Sequence, residues 1–307
     1  MPDDGYTQES PDYVVRPMRA QDIPHVERLT AEGFYELDVR MQRRSSPQPV
    51  MRTDERAAQW HRRAEHVLRH DPAGCWVAEC VSGTEPLLGT ALSLKRELCW
   101  ILWSFVVRPG MQGRGVGAHL LEAALSYGDG CLRAMLAATD DPRALRRYRL
   151  AGFTLHPAMC LRGVVDRSLL PVVDRVREGS LGDVDLMDSV DRRVRDSAHG
   201  PDHELMASMY PLVVIDRPTG SGYAYVAPGG GPYLLAATNR RTAADLLWET
   251  LAASSPDTPC EIEYVTAVNQ WAIDVGLAAR MELGTSGYLA LRGMRPPVPY
   301  LPSGHFL

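Results

Sequence analysis

The chain is expected to be an α/β protein with mixed sheets flanked by helices, in two domains, and three observations carry that expectation. Its 307 residues make it about twice the length of an ordinary domain. Short alternating stretches and one unbroken apolar run, Leu98 to Val107, are interleaved with segments of helical periodicity. A Val-Arg pair with an aspartate six residues after the arginine occurs twice, at Val15-Arg16/Asp22 and Val176-Arg177/Asp183, which points to an internal repeat.

Residues 1–12 form an acidic, polar leader, and the first domain spans 13–164. Tyr13 to Met18 alternates as a strand, and Ala20 to Phe34 places Ile23, Val26, Leu29 and Ala31 at helical spacing. A second helix is expected over Asp54 to His70. Cys75 to Val81 and Leu87 to Lys95 read as an antiparallel hairpin, joined by the Ser-Gly-Thr-Glu-Pro turn of Ser82 to Pro86. The Leu98 to Val107 run is apolar enough to be covered on both faces. A helix beginning near Gly115 carries Val116, Leu120, Leu121 and Ala124 on one stripe and stops around Gly128. Leu132 to Ala138 is another buried strand, Asp141-Pro142 starts a helix to Leu150, and Gly152-Phe153 leads into a strand ending near Gly163.

Past a linker at 165–175, the second domain, 176–295, reads as a trimmed copy of the first. It has a glycine-rich hairpin from Gly220 to Pro232 and an apolar strand from Tyr233 to Thr238. A helix from Thr242, a strand from Glu261 to Thr266 and a short helix reaching Gly276-Leu277 follow. The proline-rich tail, 296–307, cannot pair as a central strand and is expected to lie extended across a surface.

A net charge of −5 and a pI near 6.0 argue against a nucleic-acid or anionic-membrane partner. The first residues lack the basic start and apolar stretch of a secretory signal, and no segment approaches a membrane span. Cysteines 75, 80, 99, 131, 160 and 260 show no CxxC or Cys/His ligand spacing, so reduced thiols in a cytoplasm are expected. His199, Asp202, His203 and Glu204 form a His/acid cluster; satisfied histidines at a helix start are the preferred reading, and no metal is expected.

Chemistry concentrates in Gln112-Gly-Arg-Gly-Val-Gly-Ala118, which follows a buried strand and opens a helix. Its three glycines leave backbone N–H groups unshielded at the positive end of a helix, with Arg114 adding charge, so a diphosphate is the natural occupant. A P-loop is excluded, because Val116-Gly117-Ala118 stands where Gly-Lys-Ser/Thr is needed. Gly113, Gly115 and Ala118 do satisfy the dinucleotide pattern GxGxxG/A, and Asp140 ends the next strand. That reading conflicts with a turn preceded by antiparallel-looking strands instead of a first βαβ unit.

Val106-Val-Arg-Pro-Gly-Met-Gln-Gly-Arg-Gly-Val-Gly-Ala118, paired with Asp141 to Phe153, resembles the two signature segments of the GNAT superfamily of N-acetyltransferases. The resemblance covers roughly the first half of the chain. It implies two GNAT-like domains, the first catalytic and the second degenerate, each with a splayed mixed sheet. It implies acetyl-CoA as cofactor: Phe105, Val106 and Val107 would pair with pantetheine amides, and Gln112, Gly113, Arg114, Gly115, Val116, Gly117 and Ala118 would hold the pyrophosphate. The N–H near Val107 would stabilise the oxyanion, and Tyr148, a cofactor contact, would protonate the leaving thiolate. Glu32, Tyr35 and Glu36 would line the acceptor site.

Many relatives place an acid where this chain has Ser104, so the base is unassigned; Asp38, Glu79 and Glu97 are further candidates. Arg143, Arg146 and Arg147 are candidates for the 3′-phosphate, although a charge run is ordinarily a wet helix face. A small-molecule amine is the leading acceptor, with a CoA-sensing module and a protein or peptide N-acetyltransferase as alternatives. In the second copy Thr238-Asn-Arg-Arg-Thr-Ala-Ala-Asp245 replaces the glycine turn, so productive CoA binding is not expected there. Its uses would be covering a sheet edge, walling the acceptor cleft or forming homodimer contacts, and the carboxylate of Leu307 is a candidate base.

Overall fold

The computed structural model describes residues 13–42, 48–81 and 86–307. The expected leader and residues 82–85 of the first hairpin turn lie outside the described residues. The chain divides into two units, one running to Leu94 and including Ser104–Asp129, the other comprising Lys95–Trp103 and Gly130–Leu307.

In the first unit, β1 (Tyr13–Pro17) pairs antiparallel with β2 (Cys75–Cys80), which pairs antiparallel with β3 (Leu87–Arg96, its last two residues in the second unit). Helix α1 (Ile23–Met41) extends beyond the expected Phe34 and buries Val26, Leu29 and Thr30. Helix α2 (Asp54–His70) starts under Thr53, whose hydroxyl accepts from the Arg56 N–H, and carries Asp54 and Glu55 in its first turn. Strand β4 (Cys99–Val107) contributes Ser104–Val107 to this unit, and α3 (Val116–Tyr127) buries the apolar stripe read from the sequence.

The second unit holds the start of β4, β5 (Arg133–Ala138), α4 (Pro142–Leu150), β6 (Thr154–Gly163), β7 (Arg177–Glu178), α5 (Val184–Arg195), α6 (Asp202–Ala207) and β8 (Leu212–Arg217). It continues with β9 (Gly220–Val226), β10 (Pro232–Ala237), α7 (Arg240–Ala252), β11 (Cys260–Thr266), α8 (Gln270–Ala278), β12 (Glu282–Arg292) and β13 (Tyr300–Leu301). One antiparallel sheet runs β13-β10-β9-β8-β7 and another set runs β5-β12-β6-β11. Strand β4 joins β5 in parallel from Cys99↔Arg133 only as far as Leu102↔Leu136, although β5 continues to Ala138.

The repeat is structural. Arg16 grips Asp22 through two hydrogen bonds of 2.7 and 3.0 Å, and Arg177 grips Asp183 at 3.0 and 2.5 Å. Each aspartate also accepts a backbone N–H from three residues upstream, Arg19 at 2.7 Å and Ser180 at 2.9 Å. The same clamp therefore folds the strand-to-helix corner of both copies. The ends of the copies are exchanged: β5 pairs with β12, whereas β6 pairs with β11, and β12 also pairs with β6. Residues 130–163 consequently lie in one unit with the whole second copy, and the compact units divide elsewhere than 13–164 and 176–295.

The glycine-rich hairpin is found: Gly220 to Val226 is its first strand, paired antiparallel with β10, and a Cβ at Gly222 would meet the Ala236 carbonyl at 2.7 Å and Ala237 Cβ at 2.8 Å. Two local expectations differ from what is found. The 11-residue strand β12 is absent from the sequence reading because Gly284, Thr285, Ser286 and Gly287 interrupt its apolar pattern. The tail does not lie across a surface. Tyr300 and Leu301 pair at the edge of β10, and Tyr300, Phe306 and Leu307 are buried because their apolar bulk outweighs the local proline content.

The first corner clamp makes a pH prediction. Burial raises the Asp22 pKa, but hydrogen bonds from Arg16 and the Arg19 N–H outweigh it, so the carboxyl sits below its ordinary value. Its stabilisation is complete above the unfolded-state value near ~3.9 and is lost as pH falls through the lower folded value. Asp22→Asn should lower urea stability at neutral pH, with the deficit shrinking as pH falls below the ordinary carboxylate value of about 3.9. A deficit of equal size on both sides of that value would show that charge is not its source.

Candidate functional site

At the end of β4 the Arg108 N–H donates to the Leu88 carbonyl at 2.8 Å, and the Arg108 Nε to that of Leu87 at 2.9 Å. Because N–H directions alternate along a strand, those of Val107 and Phe105 point away from β3. Gln112 then braces the turn: its Oε1 accepts from the Gly110 N–H at 3.0 Å, and its Nε2 donates to the Val107 carbonyl at 3.1 Å. Its side chain is therefore committed to shaping the loop.

Gly113 and Gly115 have φ of 84° and 87°, in the left-handed region. Among the described residues nothing lies within 4 Å of a Cβ added at Gly113, so backbone sign and not space demands glycine there. Helix α3 starts at Gly115 without a side-chain cap, and the N–H groups of Ala118 and His119 both turn to the Gly115 carbonyl at 2.8 and 3.2 Å. Among the described residues, the N–H groups of Gly113, Arg114 and Gly115 find no backbone acceptor, and those of Val116 and Gly117 are first-turn orphans. These donors and the helix dipole form an anion cradle.

Two residues that sequence reasoning missed flank the cradle. The Tyr13 hydroxyl is 2.7 Å from His119 Nδ1, and a Cβ at Gly115 would lie 3.6 Å from that hydroxyl. The available signal was His119, four positions after Gly115 on the same helix face.

Helix α1 presses on the end of β4, since a Cβ at Gly33 would come 2.5 Å from Val106 Cγ1. Glu32 faces Arg108 at 3.5 Å, while Tyr35 and Glu36 are exposed. Burial lifts the Asp38 carboxyl above its ordinary value. Ser104 is buried, and its hydroxyl has no hydrogen-bond partner among the described residues. Glu79 is taken by Arg16 at 2.6 Å, and Glu97 in the second unit by Arg192 at 2.7 Å.

Tyr148, in the second unit, is buried on α4, its ring edge-on to Phe153 at 6.3 Å. Burial and the neighbouring Asp141 charge push its phenol well above the ordinary value, which keeps it protonated. Arg143 is folded onto Asp141, with hydrogen bonds of 2.8 to 3.2 Å. The helix closes with Phe153 N–H to the Tyr148 carbonyl at 3.0 Å and Gly152 at φ 87°. In the second copy Met281 N–H bonds the Gly276 carbonyl at 3.0 Å and Arg280 has φ 65°. Gly276 is therefore the counterpart of Tyr148. The helix start differs too: Asn239 caps α7 by accepting from the Thr242 N–H at 2.9 Å.

The second unit also contains a buried polar cluster grouped differently from the sequence expectation. Asp202 turns to Arg96, with hydrogen bonds of 2.7 and 2.5 Å. His199 and His203 instead meet Asp191 from α5, which also accepts the Tyr223 hydroxyl at 2.6 Å. Burial and Arg195 lower the His199 pKa to about 4. His203 is raised to about 9; burial opposes this, but Asp188 and Asp191 outweigh it.

Residues 32–153, which include the end of β4 and the glycine turn, match the acetyltransferase (GNAT) family. A putative acetyltransferase from Pyrococcus horikoshii shares the fold with a TM-score of 0.73 at 16% identity, over 96% of this chain and 95% of that one. A GCN5-related N-acetyltransferase from Sphaerobacter thermophilus gives 0.57 at 14% identity, over 92% and 96% of the two chains. One from Kribbella flavida gives 0.58 at 14%, over 92% and 71%. No curated protein matches the chain in sequence. Among the described residues no helix is long and apolar enough to cross a membrane.

The Arg96–Asp202 pair is 6% and 0% exposed at its side chains. Removing one partner of such a pair strands a buried charge, so Asp202→Ala should cost about 3–5 kcal/mol in equilibrium unfolding. A loss below about 1 kcal/mol would mean water reaches Arg96.

Proposed function

We propose that the chain transfers an acetyl group from acetyl-CoA to the amine of a small molecule by direct attack on the thioester. The observation that carries this reading is the row of N–H groups at Gly113 to Gly117 with no backbone acceptor among the described residues, a donor set that fits a pyrophosphate. Acetyl-CoA supplies the activated acetyl group. Phe105, Val106 and Val107 are assigned to the pantetheine amides, and Gln112 to Ala118 to the pyrophosphate, with Gln112 acting as the brace of the turn.

The remaining chemistry is divided among this chain's residues. The Val107 N–H offers a donor to the oxygen that gains charge as the amine nitrogen bonds the carbonyl carbon. Tyr148 holds the proton that passes to sulfur as the carbon–sulfur bond breaks, and its raised pKa keeps that proton in place at neutral pH. The amine surrenders its own proton to water or to an acid of the α1 surface, where Glu32, Tyr35 and Glu36 are assigned to the acceptor. The cytoplasm is the compartment that suits this cofactor and the free cysteines.

Tyr148→Phe should lower kcat by about 10²-fold or more while the Kd for CoA stays within a factor of about two. Unchanged turnover would remove Tyr148 from the mechanism. Because the folded phenol is raised, wild-type kcat should show no loss of this acid up to about pH 9.5.

A second reading, a CoA sensor without turnover, is favoured by Ser104 standing where relatives carry an acid. Thiol release from acetyl-CoA, measured against panels of amines, aminoglycosides and amino acids, separates the two. Release with a small amine supports the enzyme, and tight CoA binding with no release supports the sensor. Failure to bind CoA, with a nicotinamide nucleotide bound instead, would sink both.

A further inference from the structure

The tail pairs with a strand whose counterpart in the first copy carries the proposed chemistry, and hydrogen bonds fix the register between the copies. The Arg108 N–H donates to the carbonyl of Leu88, the second residue of β3, at 2.8 Å, and the Thr238 N–H donates to that of Ser221, the second residue of β9, also at 2.8 Å. The next residues agree. A Cβ at Gly89 would stand 2.9 Å from the Val106 carbonyl oxygen, and one at Gly222 would stand 2.7 Å from that of Ala236. Ala237 is therefore the counterpart of Val107, and Leu235 that of Phe105.

In the first copy the N–H groups at these two positions point away from β3 and are assigned to pantetheine and the oxyanion. In the second copy the same edge is already paired. The Ala237 N–H donates to the Pro299 carbonyl at 3.3 Å, and β13 continues that register through Ala236↔Tyr300 to Leu235↔Leu301. Bonded pairs alternate along an antiparallel ladder, so Leu235, two residues from Ala237, is the next to exchange bonds with the tail. Asn269, at the start of α8 and 1% exposed, holds the segment from another side. Its Nδ2 donates to the Pro297 carbonyl at 3.1 Å, and its Oδ1 accepts from the Tyr300 N–H at 3.2 Å. The Tyr300 side chain is fully buried, its hydroxyl 3.4 Å from His199 Nε2, which roots the segment in the buried polar cluster. Strand β13 also packs against β11, the second copy's equivalent of β5.

We propose that residues 297–301 are an internal ligand of the second copy, filling the slot that in the first copy is assigned to the pantetheine arm of acetyl-CoA; the inference rests on that assignment. A pantetheine arm carries two secondary amides, and an extended peptide presents the same donors and acceptors to a strand edge, so one slot geometry serves both. The second copy is thus closed to the cofactor twice. The sequence at 238–245 lacks the glycines of a pyrophosphate turn, and the tail occupies the edge that the arm would use.

The test follows amide hydrogen exchange in the full chain by NMR. Without cofactor, the Leu235 and Ala237 amides should exchange at least about 10-fold more slowly than that of Val107. Saturating CoA should bind once per chain, slow Val107 and leave the other two unchanged. Leu301→Pro removes the N–H that completes the pair with Leu235, and it should speed exchange at Leu235 and Ala237 by about 10-fold or more. Millimolar pantetheine should then slow both amides in the variant and affect neither in the wild type. Ala237 exchanging as fast as Val107 in the wild type, two CoA bound per chain, or freed amides that pantetheine leaves untouched in folded Leu301→Pro would each overturn the internal ligand. If the variant does not fold, the first two outcomes decide. A full chain that binds no CoA while Leu235 and Ala237 stay protected would overturn the acetyl-transfer reading instead.

Discussion

Neither copy of the repeat completes its own sheet, and the rest of the second unit follows from that constraint. The edge of β5 left free by β4 presents a row of N–H and C=O groups that must be paired, and the strand that pairs them is β12, from the end of the other copy. In return β6 completes β11. Helix packing has adapted to the exchange: a Cβ at Gly276 on α8 would lie 2.6 Å from Leu161 Cδ2 on β6, so the second copy's helix needs a glycine to seat against the first copy's strand. The residue that faces the borrowed strand is also the one that replaces the tyrosine of the first copy. The second copy therefore lacks the proposed proton donor at the position that seats against the foreign strand.

What could be read from the sequence was local, and what could not was not. The Arg16/Asp22 and Arg177/Asp183 echo predicted a shared corner, and both copies close it with the same hydrogen bonds, because six residues are enough to specify the clamp. The glycine turn was legible for a similar reason: left-handed φ at Gly113 and Gly115 is imposed by chain geometry within a few residues. The exchange of β6 and β12 depends on pairing between segments roughly a hundred or more residues apart, and no periodicity records a partner. Strand β12 was hidden further by its own glycines. The buried cluster was misgrouped because sequence proximity joined His199 and His203 to Asp202, whereas the partners, Asp188 and Asp191, lie one turn apart on α5. Their i, i+3 spacing was the signal available.

Comparison of the two copies separates a ligand site from a structural helix start. Helix α7 begins under Asn239, whose side chain satisfies the Thr242 N–H, and needs nothing further at that end. Helix α3 begins at Gly115, which has no side chain to offer, and follows residues whose N–H groups also find no backbone acceptor among the described residues. Replacing a capping side chain with glycine gives up a few tenths of a kcal/mol, and left-handed glycines add the entropic cost of ordering a flexible turn. A corner that is destabilised twice, while its duplicate within the same chain is capped in the ordinary way, is difficult to explain as structure alone. Under the proposed function the pyrophosphate takes the place of the missing cap: its oxygens accept the bonds that Asn239 accepts in the other copy, and stability forgone in the free protein returns as binding energy for the cofactor.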